Sequence, residues 1–400
     1  MHKTVEIKAP QKFETPAKLK LTFLVLAVLG VLAFVFLLFK DPTRAWQSYL
    51  LGSVYFISVA LVGLFFVAIH FLTQSGWSVN VRRLFEATAA YIPVAAVLTL
   101  ILMLFGVGYL FSWLNPEVVA KDSLLLHKQG YLNPTFFWIR FIVFFGGWIL
   151  FNHFIVNGTR KQDQTGDKSL VKAIVPKSVG YIMFFALSFS FFAVDFLMSL
   201  EPHWFSTIFG IYLFGGASQT FFAMMIIATI FLIKRGYYNG MVNENHIHDM
   251  AKYMLGFTVF WAYIAFSQFM LIWYANLPEE TIFFVHRMEG PWAVMSVALI
   301  VLKFVIPFLA LLPRWAKRDM NYIRIICGLV IITQFLDLHW LIYPNFDDHA
   351  VQLNGFDVAV FLGFLGIFGL TFTNYLSKNS LIPMNDPYIE ESAAHEVVYH

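Results

Sequence analysis

The chain has 400 residues, of which 59% are hydrophobic, 18% aromatic and 13% charged, with a formal charge of +3. A soluble domain carries about 25% charged residues, so this composition excludes an ordinary water-soluble enzyme and predicts an all-α integral membrane protein. The slight excess of base gives no support to nucleic acid as a partner.

A bilayer core of roughly 30 Å takes about 20 apolar residues per helix, because lipid offers no partner to an unpaired backbone amide. The chain meets that requirement ten times. Helices are predicted at 21–39, 48–73, 88–114, 134–157, 178–200, 207–233, 252–276, 292–313, 322–344 and 357–377. The first apolar run, Leu21 to Phe39 between Lys20 and Lys40, exceeds the ~7–15 residues of a signal-peptide core and has no small-x-small site after it. It is read as a retained membrane helix.

Basic residues sort by side. Twenty of them, from Lys3, Lys8 and Lys12 through Arg82, Arg160, Lys234 and Lys317 to Lys378, fall on the side of the termini, against five on the other: Lys40, Arg44, Lys121, Lys128 and Arg287. Positive charge is retained in the cytoplasm, so both termini of this multi-pass protein are expected there. Connections are short and no soluble domain interrupts the helices. The polar tail after Lys378, with Pro383 and Pro387, reads as an extended strap.

A motif pattern recurs four helices apart. Helix 3 ends in Ser112-Trp113-Leu114-Asn115-Pro116-Glu117 and helix 7 in Trp273-Tyr274-Ala275-Asn276-Leu277-Pro278-Glu279. Helix 5 ends with Asp195-Phe196-Leu197, then Pro202-His203-Trp204, and helix 9 with Asp337-Leu338-His339-Trp340. Helices 4 and 8 open on Asn133-Pro134 and Gly290-Pro291, while Glu86 and Asp249 stand just before helices 3 and 7. Four is an even number, so the halves keep one orientation: a parallel repeat of two four-helix bundles, helices 2–5 and 6–9, flanked by helices 1 and 10. The expected organisation is an N-terminal segment 1–20, a flanking helix 21–47, bundles 48–206 and 207–344, a flanking helix 345–378 and a tail 379–400.

Ionisable residues inside a bilayer cost ~2.5–3.5 kcal/mol on insertion scales, so they are expected to be paired or functional. Arg140 and Asp195 lie at matching depth on consecutive antiparallel helices and are predicted to pair. Asp337 and Lys303 hold similar positions in the second bundle, with Gln268 and Gln334 nearby in sequence. One reading is that these groups tie helices together. The other is a protonatable chain in which Glu201 and His203 in one bundle and His339 in the other relay protons to Asp195 and Asp337. His70 and His153 lie at equal depth near the side of the termini, which leaves haem ligation, a structural role or proton entry open. Cys327 is the single cysteine, so the chain has no disulfide, no thiolate set for an iron–sulfur cluster and no C-x-x-C-H haem attachment.

Ser267 to Thr281, SQFMLIWYANLPEET, and Ser199-Leu200-Glu201-Pro202-His203-Trp204 resemble the polysulfide-reductase membrane-subunit (NrfD-like) family. More narrowly, the chain is similar to the F-type membrane subunits of bacterial alternative complex III. The resemblance covers nearly the whole length, and WYANLPEE is its most specific part. It implies a subunit of a respiratory complex that oxidises quinol and passes electrons to cytochrome c or a terminal oxidase. The partners it implies are a sister NrfD-like membrane subunit of the C type bearing the quinol site, an iron–sulfur protein, c-type cytochrome subunits and a terminal oxidase, with lipid around them. It further implies that this chain holds no cofactor or metal and no catalytic residue, the quinol, iron–sulfur clusters and c-type haems belonging to those partners. Its own role would be scaffold and proton path, through Arg140, Asp195, His203, Lys303, Asp337 and His339. Two alternatives stay open: a purely structural subunit, and a secondary transporter of a small solute or ion, which would be marked by an unwound helix at midplane. Gly146-Gly147 and Gly215-Gly216 are the only sequence hints of such a break.

Overall fold

The computed structural model describes residues 7–346 and 353–396; Lys3 and the last four residues of the tail lie outside that range. Ten helices long and apolar enough to span a membrane are found among the described residues: α1 (Ala17–Lys40), α2 (Pro42–Leu72), α3 (Arg82–Leu110), α4 (Pro134–Thr165), α5 (Ser169–Leu200), α6 (Phe209–Lys234), α7 (Glu244–Ala275), α8 (Gly290–Leu311), α9 (Met320–Asn345) and α10 (Gly355–Lys378). No strand occurs among them. The protein is an all-α, multi-pass membrane protein.

Several helices extend beyond the apolar runs that announce them, because their ends are set by caps rather than by hydropathy. α2 begins at Pro42, where Asp41 accepts from the Arg44 amide at 3.1 Å and the proline ring supplies helical φ. α7 begins at Glu244, eight residues before the apolar stretch, on a capping box formed by Asn243 and His246. α4 continues to Thr165 and stops at Gly166, whose φ of +69° gives the left-handed turn that ends it. Glu86 and Asp249 are therefore inside α3 and α7, not ahead of them. Two spans contain π segments, Leu102–Gly106 in α3 and Ile300–Val305 in α8. Such segments admit an extra residue to a turn without breaking the helix, and they are common where a side chain must be re-aimed.

In the packing, α2 neighbours α3 and α5, with α4 against both of those; α6 neighbours α7 and α9, with α8 against both. Each set of four closes on itself. The two sets meet where α2 lies on α6, α5 on α6 and α9 on α2. Exchanging α2 with α6 and α5 with α9 maps these contacts onto one another. α10 packs on α1, α2 and α3, and α1 packs on α10 and α2. Burial follows that layout: the apolar window of α2 is 94% buried, that of α1 only 22%, so α2 is the central mast and α1 presents its side chains outward.

α1 and α10 cross with backbones in contact. A Cβ on Gly30 would stand 2.3 Å from Gly363 Cα, and one on Gly366 would stand 2.5 Å from the Phe23 carbonyl oxygen. Small residues at a helix crossing let dispersion contacts replace the hydrophobic drive that lipid cannot supply.

The described parts of the two terminal segments lie on the same face. The Gln11 amide donates to the Tyr237 carbonyl at 2.9 Å, and Phe13 is buried. The tail returns across that face as a strap: Arg82 pairs with Asp386 at 2.6 Å, Ser392 donates to the Trp77 carbonyl at 2.9 Å, and His395 Nε2 lies 2.5 Å from Asp249 Oδ2. The strap's own Leu381, Ile382, Ile389 and Ala393 are buried, so it contributes apolar contact as well as charge.

Candidate functional site

Each bundle holds a buried cation–carboxylate pair between its third and fourth helices. In the first, Arg140 Nε on α4 meets Asp195 Oδ2 on α5 at 2.7 Å. Tyr131, in the turn before α4, donates its hydroxyl to Asp195 Oδ1 at 2.9 Å, accepts Arg140 Nη1 on its carbonyl at 3.1 Å and places its ring 3.9 Å from the guanidinium carbon. Arg140 is thus held by a carboxylate, a carbonyl and a ring face, which is how a buried guanidinium offsets its lost hydration.

In the second bundle Lys303 Nζ on α8 meets Asp337 Oδ2 on α9 at 2.5 Å, and donates to Gln334 Oε1 at 2.5 Å. Tyr212 on α6 donates to Asp337 Oδ1 at 2.5 Å, and the Trp261 ring on α7 lies 4.6 Å from the ammonium. All four helices of the bundle contribute. Lys303 is 0% exposed and Asp337 1%. The π segment of α8 carries Lys303, and the Gln334–Asp337 spacing of three residues puts both acceptors on one face of α9. The cations come from the third helix of each bundle and the aspartates from the fourth.

Gly216 makes this cluster possible. A Cβ there would lie 2.6 Å from Gln334 Oε1 and 3.0 Å from Lys303 Nζ. Gly215-Gly216 therefore marks close approach inside the continuous helix α6, not an unwound segment; Gly147 likewise lies against the Phe184 ring within α4. Gly216→Val is expected to displace the Lys303 ammonium and lower thermal stability by several degrees, whereas Gly256→Ala, inside α7 with nothing within 4 Å of an added Cβ, should cost less. Comparable melting temperatures for the two variants in detergent would contradict that reading.

The remaining sequence candidates are distributed differently. His203 lies at the face opposite the termini, with Nε2 2.6 Å from Asp122 and Nδ1 3.5 Å from Glu201. The His203 bond holds the Asp122 carboxyl below the usual carboxylate range. His339, two residues and about 200° round α9 from Asp337, stacks on Tyr343 at 3.9 Å and faces Trp292 at 5.7 Å. His70 is buried among Phe66, Trp77, Phe85 and Tyr253, with no hydrogen bond to either ring nitrogen among the described residues. His153 is exposed and bonded to Asn157 at 2.9 Å. Among the described residues no group of three or more His, Cys, Asp or Glu side chains is arranged to hold a metal ion.

Several polar partners escaped the sequence reading. Tyr131 and Tyr212 hold the two aspartates, yet one of 17 tyrosines carries no signal that its hydroxyl is buried. Arg287, placed by sequence in an outer loop, is fully buried beside the second bundle. It donates to the carbonyls of Phe283, Trp340 and Leu341 and to Asn345. Burial pulls its pKa down to about 9, which leaves it a cation at neutral pH. Arg83, Glu86, Asp163 and Tyr375 form a buried network at the face of the termini, and Arg44, Asp357, Ser48 and Tyr343 another at the opposite face.

No family model and no curated protein matches this chain.

Proposed function

We propose that this chain is an integral, cofactor-free subunit of a quinol-oxidising complex in a bacterial inner membrane, acting as scaffold and as a proton path through its two bundles. In this reading its partners are a sister membrane subunit of the C type bearing the quinol site, an iron–sulfur protein, c-type cytochrome subunits that pass electrons to cytochrome c, and a terminal oxidase. Both termini would face the cytoplasm, in keeping with twenty basic residues on their side against five on the other. The observation that carries the reading is the repeated buried pair, Arg140–Asp195 and Lys303–Asp337, at corresponding places in two bundles. Holding two helices together requires no ions; apolar side chains of the same volume do so at equal or lower cost. Carboxylates held in polar pockets, each with a tyrosine hydroxyl donating to it, are the groups a relay requires. The sequence likeness to the F-type subunits of alternative complex III selects the quinol-oxidising setting.

The test is what stays bound after mild solubilisation. Haem absorbance at stoichiometric level, together with iron–sulfur signals, is the expected result. A preparation of this chain alone, free of redox chromophores and able to accumulate a solute in liposomes, would replace this reading with the transporter.

A further inference from the structure

A cavity of about 570 Å³ opens sideways between α7 and α8, in the half of the membrane away from the termini. Its rim is made of outward side chains, Val259, Tyr263, Phe266 and Ile300, so it is entered from the lipid phase rather than from water. Its walls are the rings of Trp261, Phe269, Phe284, Phe304 and Trp340. Its back wall includes Tyr212 and Gln268, and there it touches the polar cluster: the Tyr212 hydroxyl is spent on Asp337, and Trp261 screens Lys303.

Gln268 is the unusual group. It is 4% exposed, lines the cavity and lies about 10 Å below the end of α7. Its Oε1 accepts from Ser206 at 2.8 Å, while its Nε2 has no partner among the described residues. An amide donor therefore faces the cavity, where a ligand bearing an acceptor would pair it.

We propose that this cavity binds a flat, neutral, carbonyl-bearing ring carried on a hydrocarbon tail, with a ring carbonyl accepting from Gln268 Nε2 and the tail leaving between α7 and α8 into lipid. Neutrality follows from Lys303, whose charge is already matched by Asp337, so an anionic headgroup would be desolvated without a counter-ion. A ring follows from walls of five aromatic side chains, which accept offset or edge contacts from a planar guest. The volume falls within the ~300–1,000 Å³ of small-molecule sites, enough for a ring and the first part of a tail. The choice of a quinone as probe rests on the proposed function; the site itself does not.

The experiment is photolabelling of the full chain, in phosphatidylcholine nanodiscs, with an azido-benzoquinone carrying a short alkyl tail. A tenfold excess of the same quinone without the azide serves as competitor. Competed label is expected on the peptide containing Trp261 to Phe269. Gln268→Leu should weaken competition about tenfold, the value of one hydrogen bond of about 1.4 kcal/mol. Ala265→Trp, which fills the cavity from the α7 face between Trp261 and Gln268, should abolish it. Size-exclusion profiles identify any variant that has lost its fold, and the two substitutions act independently. Label spread along the outward faces without competition, or label unchanged in both variants, overturns the site. Phospholipid retained in native mass spectra of the wild type and released by Ala265→Trp, with no competed quinone label, overturns the ring in favour of an acyl chain. Loss of haem from the purified complex would defeat the proposed function but leaves this labelling result untouched.

Discussion

Asp337→Leu and Lys303→Met should each cost the folded chain about 3–5 kcal/mol, and the double variant should recover most of that loss. The single changes differ in what they strand. Asp337→Leu leaves the Lys303 ammonium, 0% exposed, with Gln334 and the Trp261 ring alone, and orphans the Tyr212 hydroxyl. Lys303→Met leaves the Asp337 carboxylate with only the Tyr212 donor. Replacing both removes the desolvation cost along with the attraction and substitutes apolar volume. Unfolding free energies in mixed micelles decide the matter: losses that add, with no recovery in the double variant, would mean that the two side chains are not coupled in the folded protein.

Gly363→Leu is expected to separate α1 from α10. The Gly30 Cα lies 2.7 Å from where a Cβ on Gly363 would be, so a leucine must push the two backbones apart along the whole crossing rather than adjust a rotamer. Beyond that crossing α1 is held by its packing on α2, where Phe34 meets Trp46 and Tyr49, and its window is only 22% buried. A cysteine pair placed across α1 and α10, away from the glycines, should cross-link readily in the wild type and poorly in the variant. Equal cross-linking yields would show that the crossing tolerates side chains and that close approach is not what seats α1.

How much of this was legible in the sequence depends on what each feature owes to hydrophobicity. The ten spans were readable because lipid demands long apolar runs, and Leu21 to Phe39 is hard to read any other way. The true starts of α2 and α7 were not, since Asp41 and Asn243 act through capping geometry and the helical turns they start are too polar for a hydropathy window. Arg140 and Asp195 were readable as partners because equal depth on consecutive helices leaves few others. Tyr131, Tyr212 and Trp261 were not, because an aromatic residue is equally at home facing lipid. The burial of Arg287 was not readable either: its place in a connection says nothing of depth, and nothing in the sequence shows three carbonyls converging on it. The strap was visible only as an extended tail, its anchors Asp386, Ser392 and His395 being ordinary polar residues until Arg82, Trp77 and Asp249 are seen beneath them.

The account rests on Asp337 as a proton-carrying group, and Asp337→Asn tests it, because the amide keeps the size and one of the two acceptors, for Tyr212 or Lys303, while removing the titratable carboxyl. The measurement is quinol oxidation and proton release by the mutant complex in liposomes at several pH values, with Cys327→Ala, a buried thiol in the packing of α9, as the control. The predicted result is an assembled complex in which turnover falls about tenfold or more, or in which protons released per quinol fall to the two that quinol oxidation itself yields, with Cys327→Ala unchanged. An assembled Asp337→Asn complex that matches the wild type in both quantities at every pH would contradict the relay and leave the second bundle as scaffold.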